Sequence, residues 1–207
     1  MMSFRIISTL ADIDQKQWDT LHGSSNPFLS HAFLSGLEST GCLRPEWGWT
    51  ACHPTLWDGD TLLAAAPGYL KGNSHGEFVF DHAWAEAYSR YGRHYFPKWL
   101  IGIPYTPVTG PRLLAVSHAS RMHLLEAMKD FAISNSISSI HINFCESDES
   151  AALDADWLAR STVQFHWHNN AWRDFDDFLC SLKSKKRKNI RQERAKTKDA
   201  GYCFRTL

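Results

Sequence analysis

Residues 49–71, WTACHPTLWDGDTLLAAAPGYLK, carry the clearest strand pattern in this chain. Two runs of apolar and β-branched residues flank the dipeptide Asp58-Gly59, which suits the positive φ angles of a tight turn. The pattern therefore predicts two antiparallel strands that are joined as a hairpin at this turn. With the extended segment that follows, they form a predicted meander of about three strands.

Strand and helix patterns follow one another on both sides of the hairpin. Further extended segments are predicted at 4–8, 76–81, 137–145, 162–168 and 202–207. Helices are predicted at 12–21, 30–40, 82–91, 117–135, 147–159, 175–182 and 184–200. Their N-caps are predicted to be Asp12, Ser30, Ser117 or Ser120, Asp174 and Ser184, and the glycines that end three of them are Gly41, Gly92 and Gly201.

The segment 94–114 contains four prolines, so it is predicted to be an edge strand or an ordered loop. The order of all these elements indicates an α/β fold in which helices flank a sheet of mixed direction.

Composition limits the class of protein. The chain has 207 residues, of which 43% are hydrophobic and 13% aromatic, enough for a packed core. Its five cysteines are scattered and show no CxxC or metal-finger spacing, so we expect reduced thiols. Neither a signal peptide nor an apolar run approaching ~18 residues is present in the sequence. We therefore expect a cytoplasmic protein, and peripheral contact with a membrane stays open.

Charge is divided unevenly along the chain. Residues 1–182 carry 12 basic and 20 acidic side chains, whereas residues 183–207 carry 10 basic and 2 acidic ones. Arg187, Arg191 and Arg194 recur at spacings of four and three, so they share a helix face. We expect Lys186, Arg187 and Arg191 to bind the anionic part of a substrate; a solvated or partner-facing helix and a nucleic-acid site are the alternatives.

Two further groups of side chains could handle protons. His166 and His168 lie two apart on the predicted strand 162–168, hence on one side of it. They form either a hydrogen-bonded aromatic and histidine wall or part of a metal site that needs a third ligand. Asp81, His82 and Trp84 are candidates for acid–base chemistry or for stacking on a sugar.

The segment IPYTPVTGPRLL, residues 103–114, is a candidate substrate-binding loop. Its prolines pre-set the backbone, Gly110 would let a ligand approach the main chain, and Arg112 supplies a positive charge. Tyr105 and Thr109 complete the candidate contacts. The alternative is a rigid connection at the edge of the sheet.

Several familiar motifs are absent from the sequence. There is no G-x-G-x-x-G after a strand, no P-loop and no G-x-S-x-G. Dinucleotide-dependent oxidoreductases, NTPases and esterases of the common kinds therefore lose their main support.

Five blocks carry a family resemblance: NPFLSHAFLSGLESTG (26–41), DHAWAEAYSRYGRHYFPK (81–98), IPYTPVTGPRLL (103–114), VQFHWHN (163–169) and SKKRKNIRQERAKTKDAG (184–201). With them, nearly the whole sequence resembles the Fem-like predicted N-acyltransferases, which are described as peptidoglycan biosynthesis or recognition proteins. The resemblance implies two domains of the GNAT acetyltransferase type. Residues 1–182 would form the first, and residues 183–207 would be a basic helix and first strand that lead into a second domain absent from this chain.

The resemblance also implies an activity. In the wider Fem group an aminoacyl group passes from aminoacyl-tRNA to a lipid-linked or nucleotide-linked peptidoglycan precursor. In single-domain relatives the donor is acetyl-CoA, whose pyrophosphate rests on a glycine-rich turn. The corresponding residues 112–123 contain no glycine, so no cofactor is expected on this domain. Acyl-CoA or aminoacyl-tRNA would then bind through the second domain.

The resemblance therefore favours transfer of an acyl group to an amine of an anionic acceptor, with Asp81, His82, His166 or His168 handling protons. The alternative is a binding module without catalysis that recognises a cell-wall precursor or a nucleic acid through the basic helix.

Overall fold

The computed structural model describes residues 2–23, 26–151, 153 and 156–203. The chain divides into two compact units, Met1–Ala159 (unit 1) and Arg160–Leu207 (unit 2). The domain boundary predicted after residue 182 lies inside unit 2 and stays a prediction.

Unit 1 contains two sheets and several helices. Its strands are β1 (Met2–Ile7), β2 (Trp49–Ala51), β3 (His53–Asp58), β4 (Thr61–Ala65), β5 (Gly68–Lys71), β6 (Lys98–Ile101), β7 (Leu114–Ala115) and β8 (Ile140–Ile142). Its α-helices are α1 (Gln15–His22), α2 (His31–Ser39), α3 (His82–Arg90), α4 (His118–Ser134) and α5 (Ser147–Ala151).

The two sheets confirm the predicted α/β fold of mixed strand direction. One sheet has the order β1-β3-β4-β7 and is antiparallel throughout. The other has the order β2-β5-β6-β8, in which β6 and β8 run parallel. A parallel pair needs a crossover connection, and α4 lies in the segment that joins β6 to β8.

The first sheet is buried on both faces, which explains the long apolar run in the sequence. Leu56 and Ala64 belong to a core that includes the α4 side chain of Met128. Their neighbours in the sequence, Trp57 and Ala65, belong to a second core with side chains of α1 and α2. Successive strand residues point to opposite faces. Helices therefore cover both sides of the sheet, and no polar face interrupts the sequence pattern.

The hairpin prediction is confirmed. Asp58 pairs with Thr61 across the β3–β4 turn, and Gly59 has a φ of 58°. The stretch 49–71 nevertheless forms four strands, β2 to β5, where two were predicted. The reason is that His53 and Gly68 begin strands that pair in different sheets.

Most of the predicted helix caps are confirmed. The side chains of Ser30, Ser117 and Asp174 each accept a hydrogen bond from a backbone N–H in the first turn of their helix. Two predicted caps are wrong. Asp14, not Asp12, caps α1. Ser184 is the first residue of the basic helix and Lys183 is its N-cap residue, which makes no capping bond through its side chain.

Four strand predictions are wrong or only partly tested. Residues 76–81 and 162–168 form no strand. The segment 94–114 contains β6, which is an interior strand between β5 and β8 and not an edge. Pro97 and Pro104 flank β6 without entering it, so they do not disturb its pairing. Residues 204–207 of the predicted strand 202–207 lie outside the described residues. So do residues 152, 154 and 155 of the predicted helix 147–159.

Unit 2 contains α6 (Phe175–Ser181) and the basic helix α7 (Ser184–Asp199). The rings of Trp167 and Trp172 pack near Phe178 of α6, with Trp172 and Phe178 ring centroids 5.1 Å apart. Throughout the described ranges, no helix combines the length and apolar character needed to cross a membrane.

Candidate active site

A buried cluster of charged side chains lies where β5 ends and the antiparallel strand β6 begins. We call Lys71, Glu77, Asp81, Tyr95 and Lys98 the Lys98 cluster. Lys98 is 0% exposed, and its Nζ lies 2.8 Å from Glu77 Oε2 and donates a hydrogen bond to Asp81 Oδ2. The Tyr95 hydroxyl donates to the same Asp81 oxygen at 2.7 Å. The cluster thus joins a strand, the segment before α3 and the loop before β6.

Strand register explains why the cluster needs its carboxylates. Lys71 of β5 pairs directly with Lys98 of β6. Two like charges opposite each other in a sheet repel, and both of these side chains are buried. Glu77 and Asp81 supply the opposite charge, because the chain between β5 and α3 passes over the two lysines.

The surroundings shift the pKa values of these groups in different directions. Burial lowers the pKa of Lys71 to about 8, since Glu77 opposes the effect only in part and the charge of Lys98 adds to it. Burial raises the pKa of Glu77 in spite of the two nearby lysines. Burial also acts to raise the pKa of Asp81, but hydrogen bonds, first among them that from Lys98, outweigh it and lower the pKa to about 2.

Carboxylate oxygens in the cluster have unused acceptor capacity. Within the described part of the chain, Glu77 Oε1 and Asp81 Oδ1 have no hydrogen-bond partner, whereas Glu77 Oε2 lies 2.8 Å from Lys98 Nζ. The contact of Glu77 with Lys98 is an ion pair. A buried carboxylate whose pKa is raised accepts a proton more readily than an ordinary carboxylate, and general base catalysis benefits from a shift in that direction.

Aromatic side chains connect the cluster with the protein surface. The Lys71 Nζ lies 3.4 Å from the centroid of the buried Trp49 ring and donates to the His75 carbonyl. Tyr105, a predicted substrate-binding residue, packs on Trp49 with ring centroids 5.3 Å apart and is 40% exposed. Tyr105 is therefore the predicted loop residue that the structure brings to this cluster.

The other predicted residues of this region lie around the cluster or apart from it. His82 and Trp84 are exposed on the first turn of α3, directly after Asp81. Thr109 is exposed in the loop before β7. Their roles in substrate binding and proton transfer stay predictions.

Arg112 is bound inside the protein. Its guanidinium donates hydrogen bonds to the carbonyls of Val108, Gly110, Pro111 and Asn143. Glu149 accepts hydrogen bonds from the backbone N–H groups of Arg112 and Leu113. Burial lowers the pKa of Arg112 to about 10, although Glu149 opposes this. This geometry favours a role in holding the loop, and substrate binding by Arg112 stays a prediction.

Gly110 packs closely against another side chain inside unit 1. Gly110 is buried, and a Cβ placed there would lie 2.6 Å from the side-chain nitrogen of Asn26. The absence of a side chain thus serves a close packing contact within the protein, while any approach of a ligand to Gly110 stays a prediction.

The predicted site residues of unit 2 are all on its surface or half-buried. The rings of His166 and His168 are stacked with centroids 6.3 Å apart, and both residues are exposed in a segment without a strand. No group of three metal-ligating side chains occurs in the described ranges. On α7, Arg187 and Arg191 line a shallow groove of about 390 Å³, and Lys186 is exposed.

Sequence reasoning found Asp81 but missed its partners Glu77, Tyr95, Lys98 and Lys71. Lysines are rarely buried, so lysine at a strand end is normally assigned to the surface. The available signal was that GYLK and KWLI are otherwise apolar strands, each with one lysine at an end.

Solved structures similar to this chain include two acetyltransferases. The ribosomal-protein-alanine N-acetyltransferase of Brucella melitensis biovar Abortus is 12% identical; the match covers 80% of this chain and 99% of that one, with a TM-score of 0.43. An acetyltransferase of Trypanosoma brucei is 9% identical; that match covers 82% of this chain and 100% of the other, with a TM-score of 0.42.

No curated protein matches the sequence. The family model FemAB_like, described as peptidoglycan biosynthesis/recognition, matches residues 9–207. The resemblance carried by the five sequence blocks is thereby confirmed, and the chain belongs to the FemAB-like family.

Proposed function

We propose that this protein is an N-acyltransferase that transfers an acyl or aminoacyl group to an amine of an anionic acceptor of the peptidoglycan-precursor kind. The observation that carries the proposal is the family match over residues 9–207. The Lys98 cluster adds support. It places the Glu77 carboxylate, a potential proton acceptor, beside the ammonium groups of Lys71 and Lys98, and all three side chains are buried.

The reaction needs one proton acceptor and a way to stabilise negative charge. The amine nitrogen attacks the acyl carbonyl, a C–N bond forms, and the bond to the leaving oxygen or sulfur breaks. The amine proton passes to a base, and the leaving group takes up a proton. Positive charge near the carbonyl oxygen stabilises the oxyanion of the tetrahedral intermediate.

Within the cluster, Glu77 is the better base and Asp81 the better positioning residue. A carboxyl with a raised pKa accepts a proton more readily at neutral pH than one with a pKa of about 2. Asp81 instead holds Lys98 and Tyr95 in place through its hydrogen bonds. We therefore assign proton transfer to Glu77, and retain His82, His166 and His168 as further candidates.

The start of α4 supports a donor other than CoA at this position. The Ser117 hydroxyl accepts a hydrogen bond from the backbone N–H of Ser120, so the helix N-terminus is already capped by its own side chain. A pyrophosphate would have to displace this cap and would find no glycine around it. We therefore favour aminoacyl-tRNA as the donor, with Lys186, Arg187 and Arg191 as candidates for anionic contacts.

The test is an acyl-transfer assay with both donor classes. Purified protein is mixed with acyl-CoA or aminoacyl-tRNA and with a nucleotide-linked peptidoglycan precursor that has a free amine. Mass spectrometry should show an acceptor in which the acyl group has replaced one amine hydrogen. The variant Glu77→Gln should lower the rate by ~100-fold or more, the usual contribution of a general base, without raising KM in proportion.

The matched control is Glu46→Gln, which removes an exposed carboxylate of the same unit and should leave the rate near that of the native protein. Absence of transfer with both donors would contradict the proposed activity of the 207-residue chain, and binding of the donor through a second domain would stay a prediction. Transfer that is equally fast in the two variants would contradict only the assignment of Glu77.

A further inference from the structure

Unit 2 exposes apolar side chains in the segment that precedes α6. Val163 is 81% exposed, Phe165 98% and Trp167 66%. Single apolar residues are common on protein surfaces, but three within five positions of the chain form an apolar segment. Such a segment indicates a surface that another molecule covers.

The helix α7 supplies positive charge in the same unit. Residues 184–199 include eight basic and two acidic side chains. No residue of α7 is fully buried, and only Arg187, Ile190 and Thr197 are half-buried. The helix therefore presents an extended positive surface that attracts anions.

Ring contacts tie the apolar segment and the basic helix into one body. Trp167 packs against Phe178 of α6 with ring centroids 6.3 Å apart. Phe175 of α6 in turn lies beneath the guanidinium of Arg194, 4.3 Å from ring centroid to Arg194 Cζ. Binding energy from the apolar segment and from α7 can therefore add up on a single partner.

We propose that unit 2 docks on the surface of a bilayer that contains anionic phospholipids. Two signals, an apolar anchor and a polybasic element, are the combination that holds peripheral proteins on membranes. Phe165, Trp167 and Val163 enter the headgroup and upper acyl region, while α7, which has no apolar face, stays among the charged headgroups. Protein of this kind lies on the membrane without spanning it.

The apolar segment favours a bilayer over a nucleic acid. Single-stranded nucleic acids bind aromatic rings through base stacking, for which the aliphatic Val163 offers no flat face. The bilayer interface accepts aliphatic and aromatic side chains alike. A phosphate-rich partner alone would also leave Phe165 in water.

The experiment is co-sedimentation of the 207-residue protein with vesicles of phosphatidylcholine, with or without phosphatidylglycerol. Binding is expected only with the anionic lipid and should weaken with salt. Lys186→Gln/Lys188→Gln should weaken binding about fivefold per charge. Val163→Ser/Phe165→Ser should also weaken it, most visibly at high salt, where the electrostatic part is screened.

Two control variants test whether position matters. Lys16→Gln/Arg93→Gln removes two exposed charges of unit 1, and Ile133→Ser removes an exposed apolar side chain of unit 1. Both should bind vesicles as the native protein does. Because all substituted side chains are exposed, circular dichroism should show that each variant remains folded.

The proposal is overturned if the protein binds both vesicle types equally, or neither. It is also overturned if Val163→Ser/Phe165→Ser binds as tightly as the native protein at every salt concentration. Binding to tRNA in place of vesicles, lost in Lys186→Gln/Lys188→Gln, would assign α7 to a nucleic acid instead.

Discussion

Replacing Lys98 by Met should destabilise unit 1 strongly at pH 7. The substitution keeps the approximate volume of the side chain but removes the only cation in contact with both Glu77 and Asp81 among the described residues. All three side chains are buried. At a separation of 2.8 Å and an effective dielectric constant of ~20, each pair attracts by ~6 kcal/mol before desolvation is subtracted.

Desolvation reduces the net effect, and breaking buried pairs in proteins costs ~3–5 kcal/mol. For a unit of this size that loss corresponds to a fall in Tm of ~6–20 °C. Urea titrations followed by tryptophan fluorescence would measure it, because Trp18, Trp49 and Trp99 are buried in unit 1. The control Lys16→Met, at an exposed position, should change the free energy of unfolding by no more than ~0.5 kcal/mol.

The loss should depend on pH with a definite sign. In the native protein the Asp81 pKa of about 2 is below its unfolded value of ~3.9, so Asp81 stabilises the fold above pH ~4 and this contribution disappears as the pH falls toward 2. Without Lys98, burial should raise the pKa of both carboxyls above their unfolded values. Their ionisation then costs stability at neutral pH, and protonation removes that cost.

The difference between Lys98→Met and the native protein should therefore shrink between pH 7 and pH 4. The triple variant with Glu77→Gln and Asp81→Asn should recover part of the stability at pH 7. A loss below ~1 kcal/mol at pH 7, or a loss that is equal at the two pH values, would refute the reasoning about the cluster.

Two further predictions concern the loop and the glycines. Glu149→Gln should lower the free energy of unfolding by ~1–3 kcal/mol. The carboxylate accepts hydrogen bonds from the Arg112 backbone through both oxygens, whereas the amide that replaces it has only one acceptor oxygen. An unchanged urea midpoint would contradict this. Gly36→Ala should stabilise by ~0.5–1 kcal/mol, because Gly36 is inside α2 and a Cβ there meets nothing within 4 Å. The matched change Gly59→Ala should destabilise by ~1 kcal/mol because φ is +58° with equally open surroundings; two shifts of the same sign would contradict the backbone argument.

The candidate site shows where sequence reasoning stops. The sequence indicates Asp81 as a candidate site residue because acidic and aromatic residues lie next to it. Its partner Lys98 comes from a distant segment, and nothing local in the sequence shows that the two lysines of β5 and β6 pair directly. Register between strands depends on the packing of the whole sheet, so the sequence pattern of one strand does not reveal its partner's residue.

Alternation of apolar residues predicts a strand in unit 2 that the structure does not contain. Val163, Phe165 and Trp167 alternate as a half-buried strand would, yet the segment is exposed and pairs with no strand in the described chain. A strand requires a neighbour to satisfy its backbone, and periodicity alone does not supply one.

Features that depend on neighbouring residues can be predicted from the sequence: the turn at Gly59, the caps at Ser30, Ser117 and Asp174, and the helical periodicity of α4. These features follow from backbone angles and hydrogen bonds within a few positions. The folded chain is needed to show that β6 is an interior strand and that Lys71 and Lys98 are buried with two carboxylates. Those facts depend on strand pairing and on desolvation, which arise only when distant segments pack together.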